Sequence, residues 1–306
     1  MRFTVHLAGC AANNSEHAKI REATRLALIA LSLENLGHDV RIADALPEVK
    51  ASRRWDFWKH LYDKGASGGV VIRAAEEFLT AGKRGDVGLK TSVGMRNDRR
   101  LLAAFRLLLA HEYDSHVEDF PNLLPVPFMI SDRMMDHMID VGLFQAFIDL
   151  DLELIRSFYP RSEDNGLVGF CGYGWAWRKQ FLKDAPHWVV RKFYDSHLMT
   201  AGEHWQWLYG FRAGLALVGD NQKTYLPPMF AMLGIPIVLQ PYDKLETPKM
   251  NAMTAILCDG TNWCDVLEEL NDRDEVDSIV ANATDAYLGG WSHLGQAKLI
   301  CERLGV

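Results

Sequence analysis

The chain has 306 residues, 48% apolar and 24% charged, with a formal charge of −7. That apolar share supports one large core or two smaller ones and excludes a disordered chain; the acidic balance argues against a general nucleic-acid binder, which needs a surplus of Lys and Arg. No run approaches the roughly 20 apolar residues of a membrane span, the apolar run in the opening MRFTVHLAGC is shorter than a signal peptide's apolar core and reads better as a first strand, and the five cysteines (Cys10, Cys171, Cys258, Cys264, Cys301) form no CxxC pair, so free thiols in a cytoplasmic protein are expected.

Residues 2–8 read as a strand and 9–14 as a small polar turn; a helix follows, capped by Asn14 or Ser15, with Glu16 in its first turn. Leu26, Ile29, Ala30 and Leu33 give this helix one buried face, Gly37 ends it, and 39–43 form a second strand. Strand, turn, helix, glycine, strand is the pattern of a βαβ unit in a parallel sheet. Beyond Asp44 the pattern predicts a helical aromatic and basic segment over 53–62, a glycine turn over 65–69, a helix over 70–79 and a strand over 86–93. A helix over 101–110, a strand over 126–130 and a long helix over 137–158 come next, and RSEDNG (161–166) reads as a linker. The alternation then restarts: strands over 167–171, 187–194, 214–218, 235–239 and 253–258, helices over 175–183, 203–213 and 225–233, and closing helices over 263–270, 274–288 and 291–304. The expectation is α/β, with two Rossmann-like domains, 1–160 and 166–290, whose parallel sheets face a cleft. Ligands of such sheets bind outside the carboxyl ends of the strands.

Residues 219–240 (GDNQKTYLPPMFAMLGIPIVLQ) carry the strongest chemistry. A strand ends at Asp220, a polar loop holds Lys223 and Thr224, and a short helix opens near Tyr225 and stops at Gly234. Backbone N–H groups there, the Thr224 hydroxyl and the Lys223 ammonium suit a diphosphate; a plain βαβ connection is the alternative. In 167–179 (LVGFCGYGWAWRK), Gly172 and Gly174 flank Tyr173 in a turn that lets backbone approach a phosphate, with Arg178 and Lys179 in the following helix. A solvated helix face is the alternative for both cations. Asp195, after the next strand, admits an NAD-dependent oxidoreductase, but GYGWAW lacks the third glycine of GxGxxG and its tryptophans would crowd a dinucleotide. His111 and His116 fall at i, i+5, about 140° apart on a helix, and cannot share a zinc there. Neither GxSxG nor a Walker A loop occurs. RRWDFWK (53–59) mixes cations and aromatic rings that could stack sugars or bases; a half-buried face with snorkelling cations is the alternative.

The run LPPMFAMLGIPIV resembles the donor-site helix of nucleotide-sugar glycosyltransferases with the two-domain GT-B fold, and the tail from TNWCDVLEEL to YLGGWSHLGQA is similar to their closing helices. The order of elements matches over nearly the whole chain. The resemblance implies a last helix (291–306) returning to the first domain, and a nucleotide-sugar donor held by the second domain through Gly172, Tyr173, Gly174, Arg178, Asp220, Lys223, Thr224 and Tyr225. It implies a hydroxyl acceptor held against the first domain, and transfer with no cofactor and no essential metal ion. In inverting members a base from first-domain loops takes the acceptor proton; His17 and Asp98 are the candidates here, surface or turn roles being the alternatives. Many retaining members carry a Glu five residues before the helix-ending glycine; Met229 occupies that position in this chain. Phage members glycosylate hydroxymethylated DNA bases, so the acceptor classes are carbohydrate and DNA. A non-catalytic sugar-nucleotide or carbohydrate-binding protein is the alternative from another class.

Overall fold

A computed structural model describes residues 1–8, 16–90, 99–110, 121–127, 131–162, 164–172, 174–193, 200–217, 226–241 and 250–306. The chain packs as two compact units, chiefly Met1–Pro127 with Gly289–Val306, and Phe128–Asp243 with Pro248–Leu288. Residues 128–160, which the sequence pattern assigns to the first domain, are therefore grouped with the second unit.

The first unit holds β1 (Arg2–His6), α1 (Glu16–Asn35), β2 (Asp39–Asp44), α2 (Pro47–Ala51), β3 (Val70–Ala74), α3 (Glu76–Ala81), β4 (Gly85–Lys90), α4 (Arg99–Ala104), β5 (Phe105–Ala110) and β6 (Leu123–Pro125). The second holds α5 (Asp132–Asp140), α6 (Phe144–Asp149), α7 (Leu152–Phe158), β7 (Gly166–Gly172), α8 (Ala176–Phe181), β8 (Val189–Phe193), α9 (Ala201–Tyr209) and β9 (Phe211–Ala216). It continues with α10 (Leu226–Leu233), β10 (Ile237–Leu239), β11 (Ile256–Leu257), α11 (Trp263–Asn271) and α12 (Arg273–Ala286). A π turn, Tyr287–Trp291, leads into α13 (His293–Leu304), which packs on α1 in the first unit.

Among the described residues every strand pair is parallel. The sheets run β2-β1-β3-β4-β5-β6 and β11-β10-β9-β7-β8. Counted from each unit's own first strand, both follow the order 2-1-3-4-5, with a sixth strand added at the end of the first sheet. The direction of winding reverses between the first and third strands, at β1/β3 and at β7/β9, and such switch points open a crevice at the strand carboxyl ends. Phe3, Thr4, Val5 and Leu7 are all buried, as expected for a strand covered by helices on both faces. A further packing detail recurs: Phe105 pairs with Gly85 and its ring covers Gly88, and Phe211 pairs with Gly166 and its ring covers Gly169.

Several expected boundaries move. The helix expected over 70–79 is β3 followed by α3: Val70, Val71 and Ile72 pair with β1, and the Ala75 N–H donates to the Leu89 carbonyl at 2.9 Å before the helix begins. Likewise 101–110 is the end of α4 and then β5, because Phe105 enters the sheet opposite Gly85. The strand expected over 126–130 lies at Leu123–Pro125; 128–130 fall outside the described residues. The long helix over 137–158 is cut into three by left-handed residues, Gly142 (φ 77°) and Leu150 (φ 55°), after which Asp151 caps α7 through the Leu154 N–H at 3.0 Å. Residues 203–213 are the body of α9 and the start of β9, which opens at Phe211 rather than Gly214. The 53–62 segment forms two short 3₁₀ turns with Arg54 and Trp58 buried, Arg54 donating to the Thr24 hydroxyl at 3.2 Å. That is a packed corner, which removes Arg54 and Trp58 as a surface for sugars or bases.

Candidate functional site

In the second unit the switch point lies between the end of β7 and the end of β9. Gly172 closes β7. A Cβ on it would sit 3.1 Å from the Phe170 ring and 3.3 Å from Arg178 Nη1; on Gly174, 2.8 Å from Lys179 Cε and 3.2 Å from Phe193. Gly172 and Gly174 thus lie close against side chains of β7, α8 and β8. Arg178 is buried, not on a solvated face. Its guanidinium lies 4.4 Å from the Trp175 ring, and Nη2 donates to the Leu217 carbonyl at 3.4 Å, tying α8 to the segment just past β9. Lys179 is exposed, with Nζ 5.8 Å from the Phe193 ring. Tyr173, Asp220, Lys223, Thr224 and Tyr225 lie outside the described residues.

Helix α10 follows the loop after β9. Its residues from Pro227 to Leu233 are buried, and Gly234 ends it at φ 70°. Pro227 and Pro228 have no N–H, so Leu226 and Met229 supply the donors of its first four positions. Of the stretch 224–227 expected to offer backbone N–H groups, Pro227 offers none, and Thr224 and Tyr225 lie outside the described residues. Met229 is buried in the core, so no carboxylate comes from that position. The carboxyl end of α10 is capped by Arg156 of α7, which donates to the Ala231 and Met232 carbonyls at 2.9 and 3.0 Å.

In the first unit the switch point is β1/β3. At the end of β1, His6 Nδ1 lies 2.7 Å from Asp44 Oδ2 at the end of β2, and Asp44 Oδ1 accepts the Ala8 N–H at 3.0 Å. Burial opposes the charge on Asp44, but the hydrogen bonds from His6, Ala8 and Leu7 outweigh it and hold the carboxyl below its ordinary range. A carboxylate fixed to Nδ1 orients an imidazole so that Nε2 can accept a proton. Glu76, opening α3, and Lys90, closing β4, are also buried. The sequence pattern points to neither His6 nor Asp44. The available signal was a polar residue closing each of two adjacent strands. His17 is the second residue of α1 with its side chain outside the described residues, as is Asp98 altogether.

Among the described residues no three His, Cys, Asp or Glu side chains gather as a metal site, Cys171, Cys258, Cys264 and Cys301 are free thiols, and no helix is long and apolar enough to cross a membrane.

No family model and no curated protein matches the sequence. Among solved structures, the lipopolysaccharide outer core galactosyltransferase WaaB is similar at 11% identity and a TM-score of 0.50, covering 100% of this chain and 99% of that one. A glycosyltransferase from Rickettsia africae aligns at 10% identity and a TM-score of 0.49, covering 99% and 98%. Anabaena HepE, solved with UDP-glucose, aligns at 8% and 0.46, covering 100% and 99%. The likeness to WaaB, with two parallel sheets of matching order, defines the class: this chain has a GT-B glycosyltransferase-like fold.

Proposed function

We propose that the protein is a glycosyltransferase that moves a sugar from a nucleotide-diphosphate sugar to a hydroxyl acceptor. The observation that carries this reading is the β7/β9 switch point of the second unit, where Gly172 closes β7 and Gly174 lies just before α8. Backbone of Gly172, Tyr173 and Gly174 approaches the donor; Lys223 and Thr224 hold its diphosphate, with Asp220 and Tyr225 beside them. Arg178 supports the turn from beneath. Such a reaction asks the protein to align two reactants and to stabilise charge growing on the leaving phosphate. Cations and hydroxyls on the loop before α10 do the second job. On the acceptor side, His6 oriented by Asp44 is a base candidate alongside His17 and Asp98. The acceptor is a carbohydrate or a hydroxymethylated DNA base, and the buried Arg54 and Trp58 are open to neither.

The test is calorimetric titration with nucleoside diphosphates. The wild type binds one of them, and Lys223→Ala/Thr224→Ala weakens that binding; unchanged affinity in the double variant sinks the site. Slow hydrolysis of the matching nucleotide sugar separates an enzyme from a binding protein.

A further inference from the structure

Two tryptophans follow the glycine turn. Trp175 and Trp177 lie with ring centroids 4.8 Å apart and planes 35° from parallel, and Trp177 is 46% exposed. Phe193, at the end of the neighbouring strand β8, is 37% exposed and packs against Gly174. Among the described residues most of the large aromatic side chains are buried, so an indole left this open beside a switch point is a distinctive use of apolar surface. The pair is also held in place. Arg178 braces Trp175 and is itself fixed to the Leu217 carbonyl, while Lys179 sits over Phe193. A flat aromatic face next to an exposed ammonium matches a ligand with both a flat ring and anionic groups. A nucleotide has both; a neutral sugar would leave the cation unused.

We propose that Trp177, backed by Trp175, stacks the nucleobase of the donor, with Lys179 facing its phosphates. This rests on the nucleotide-sugar reading above. Stacking is sequence-tolerant, because every base has a π-face. The aromatic pair therefore supplies affinity for a base without dictating which one.

The experiment follows tryptophan fluorescence of the full chain during titration with UDP, GDP, ADP and inorganic pyrophosphate, with calorimetry on Trp177→Ala and Trp177→Phe. At least one nucleoside diphosphate quenches the wild type and pyrophosphate does not. Trp177→Ala weakens that nucleoside diphosphate by about tenfold or more. Trp177→Phe recovers most of the loss, and thermal melts stay matched because the side chain is exposed. If the wild type binds a nucleoside diphosphate and Trp177→Ala binds it equally well, the stacking role is overturned while the nucleotide-sugar reading stands. If no nucleoside diphosphate binds the wild type, both fall together.

Discussion

Arg156 donates Nη2 to the Thr284 hydroxyl at 2.9 Å, and the same guanidinium reaches the last carbonyls of α10. One side chain thus joins α7, α10 and α12 and places positive charge at the carboxyl end of the helix beside the proposed donor loop, where it opposes the helix dipole. Arg156→Ala leaves the Ala231 and Met232 carbonyls without this partner. A loss of about 2 kcal/mol is expected, read as a lower denaturant midpoint with an unchanged slope. Arg156→Lys should retain part of it. A midpoint equal to wild type in the alanine variant would refute the capping role.

Glycine positions give a second, internally controlled prediction. A Cβ on Gly214 would lie 2.5 Å from the Phe230 ring, whereas one on Gly289 meets nothing within 4 Å. Gly214→Ala is expected to cost about 1–3 kcal/mol through overpacking of α10 against β9, and Gly289→Ala to be close to neutral. Thermal melts of the two variants side by side decide it.

Acid sensitivity should trace to His204. Burial, with Arg133 adding repulsion, pushes its imidazole from 6.5 down to about 4. Between those values the unfolded chain binds a proton that the folded chain refuses. Stability is therefore full above pH 6.5 and declines as pH falls toward 4, by at most about 3 kcal/mol from this group. His137, lowered by its own burial, acts in the same direction. The wild type should melt lower at pH 5 than at pH 7, and His204→Gln should narrow that gap. An equal gap in the variant assigns the acid response elsewhere.

The histidine–aspartate pair of the first unit makes a kinetic prediction. If His6 is the base of the proposed transfer, His6→Ala lowers turnover of the nucleotide sugar by about 10²–10⁴-fold, and Asp44→Asn lowers it in the same direction. Neither variant changes the affinity for the nucleoside diphosphate. A fall in affinity with turnover preserved would instead make the pair part of donor binding.

The alternation of strands and helices was legible because each βαβ connection carries its own local punctuation. Gly37 stops α1 and Gly234 stops α10, both in left-handed backbone. What local pattern could not show is where an apolar run changes from helix to strand. In 101–110, LLAAFRLLLA has no break, and the change at Phe105 is imposed by a partner glycine on another strand. Leu150 was equally hidden, since a left-handed leucine has no sequence signature. At the site, the glycine turn was readable because glycines mark close approach. The burial of Arg178 was not, because its partners, Trp175 apart, come from β7 and the segment after β9. The His6–Asp44 pair was missed for the same reason: it forms only once β1 and β2 lie side by side.

The first unit is made from the two ends of the chain, with α13 seated on α1, while the second is drawn from the stretch between them. During synthesis on the ribosome, most of the second unit's sequence emerges before the first can be completed. The early strands must wait, with an unfinished surface, until α13 has emerged. Chains truncated just before residue 289 and released should therefore carry a protease-resistant second unit and a vulnerable first one.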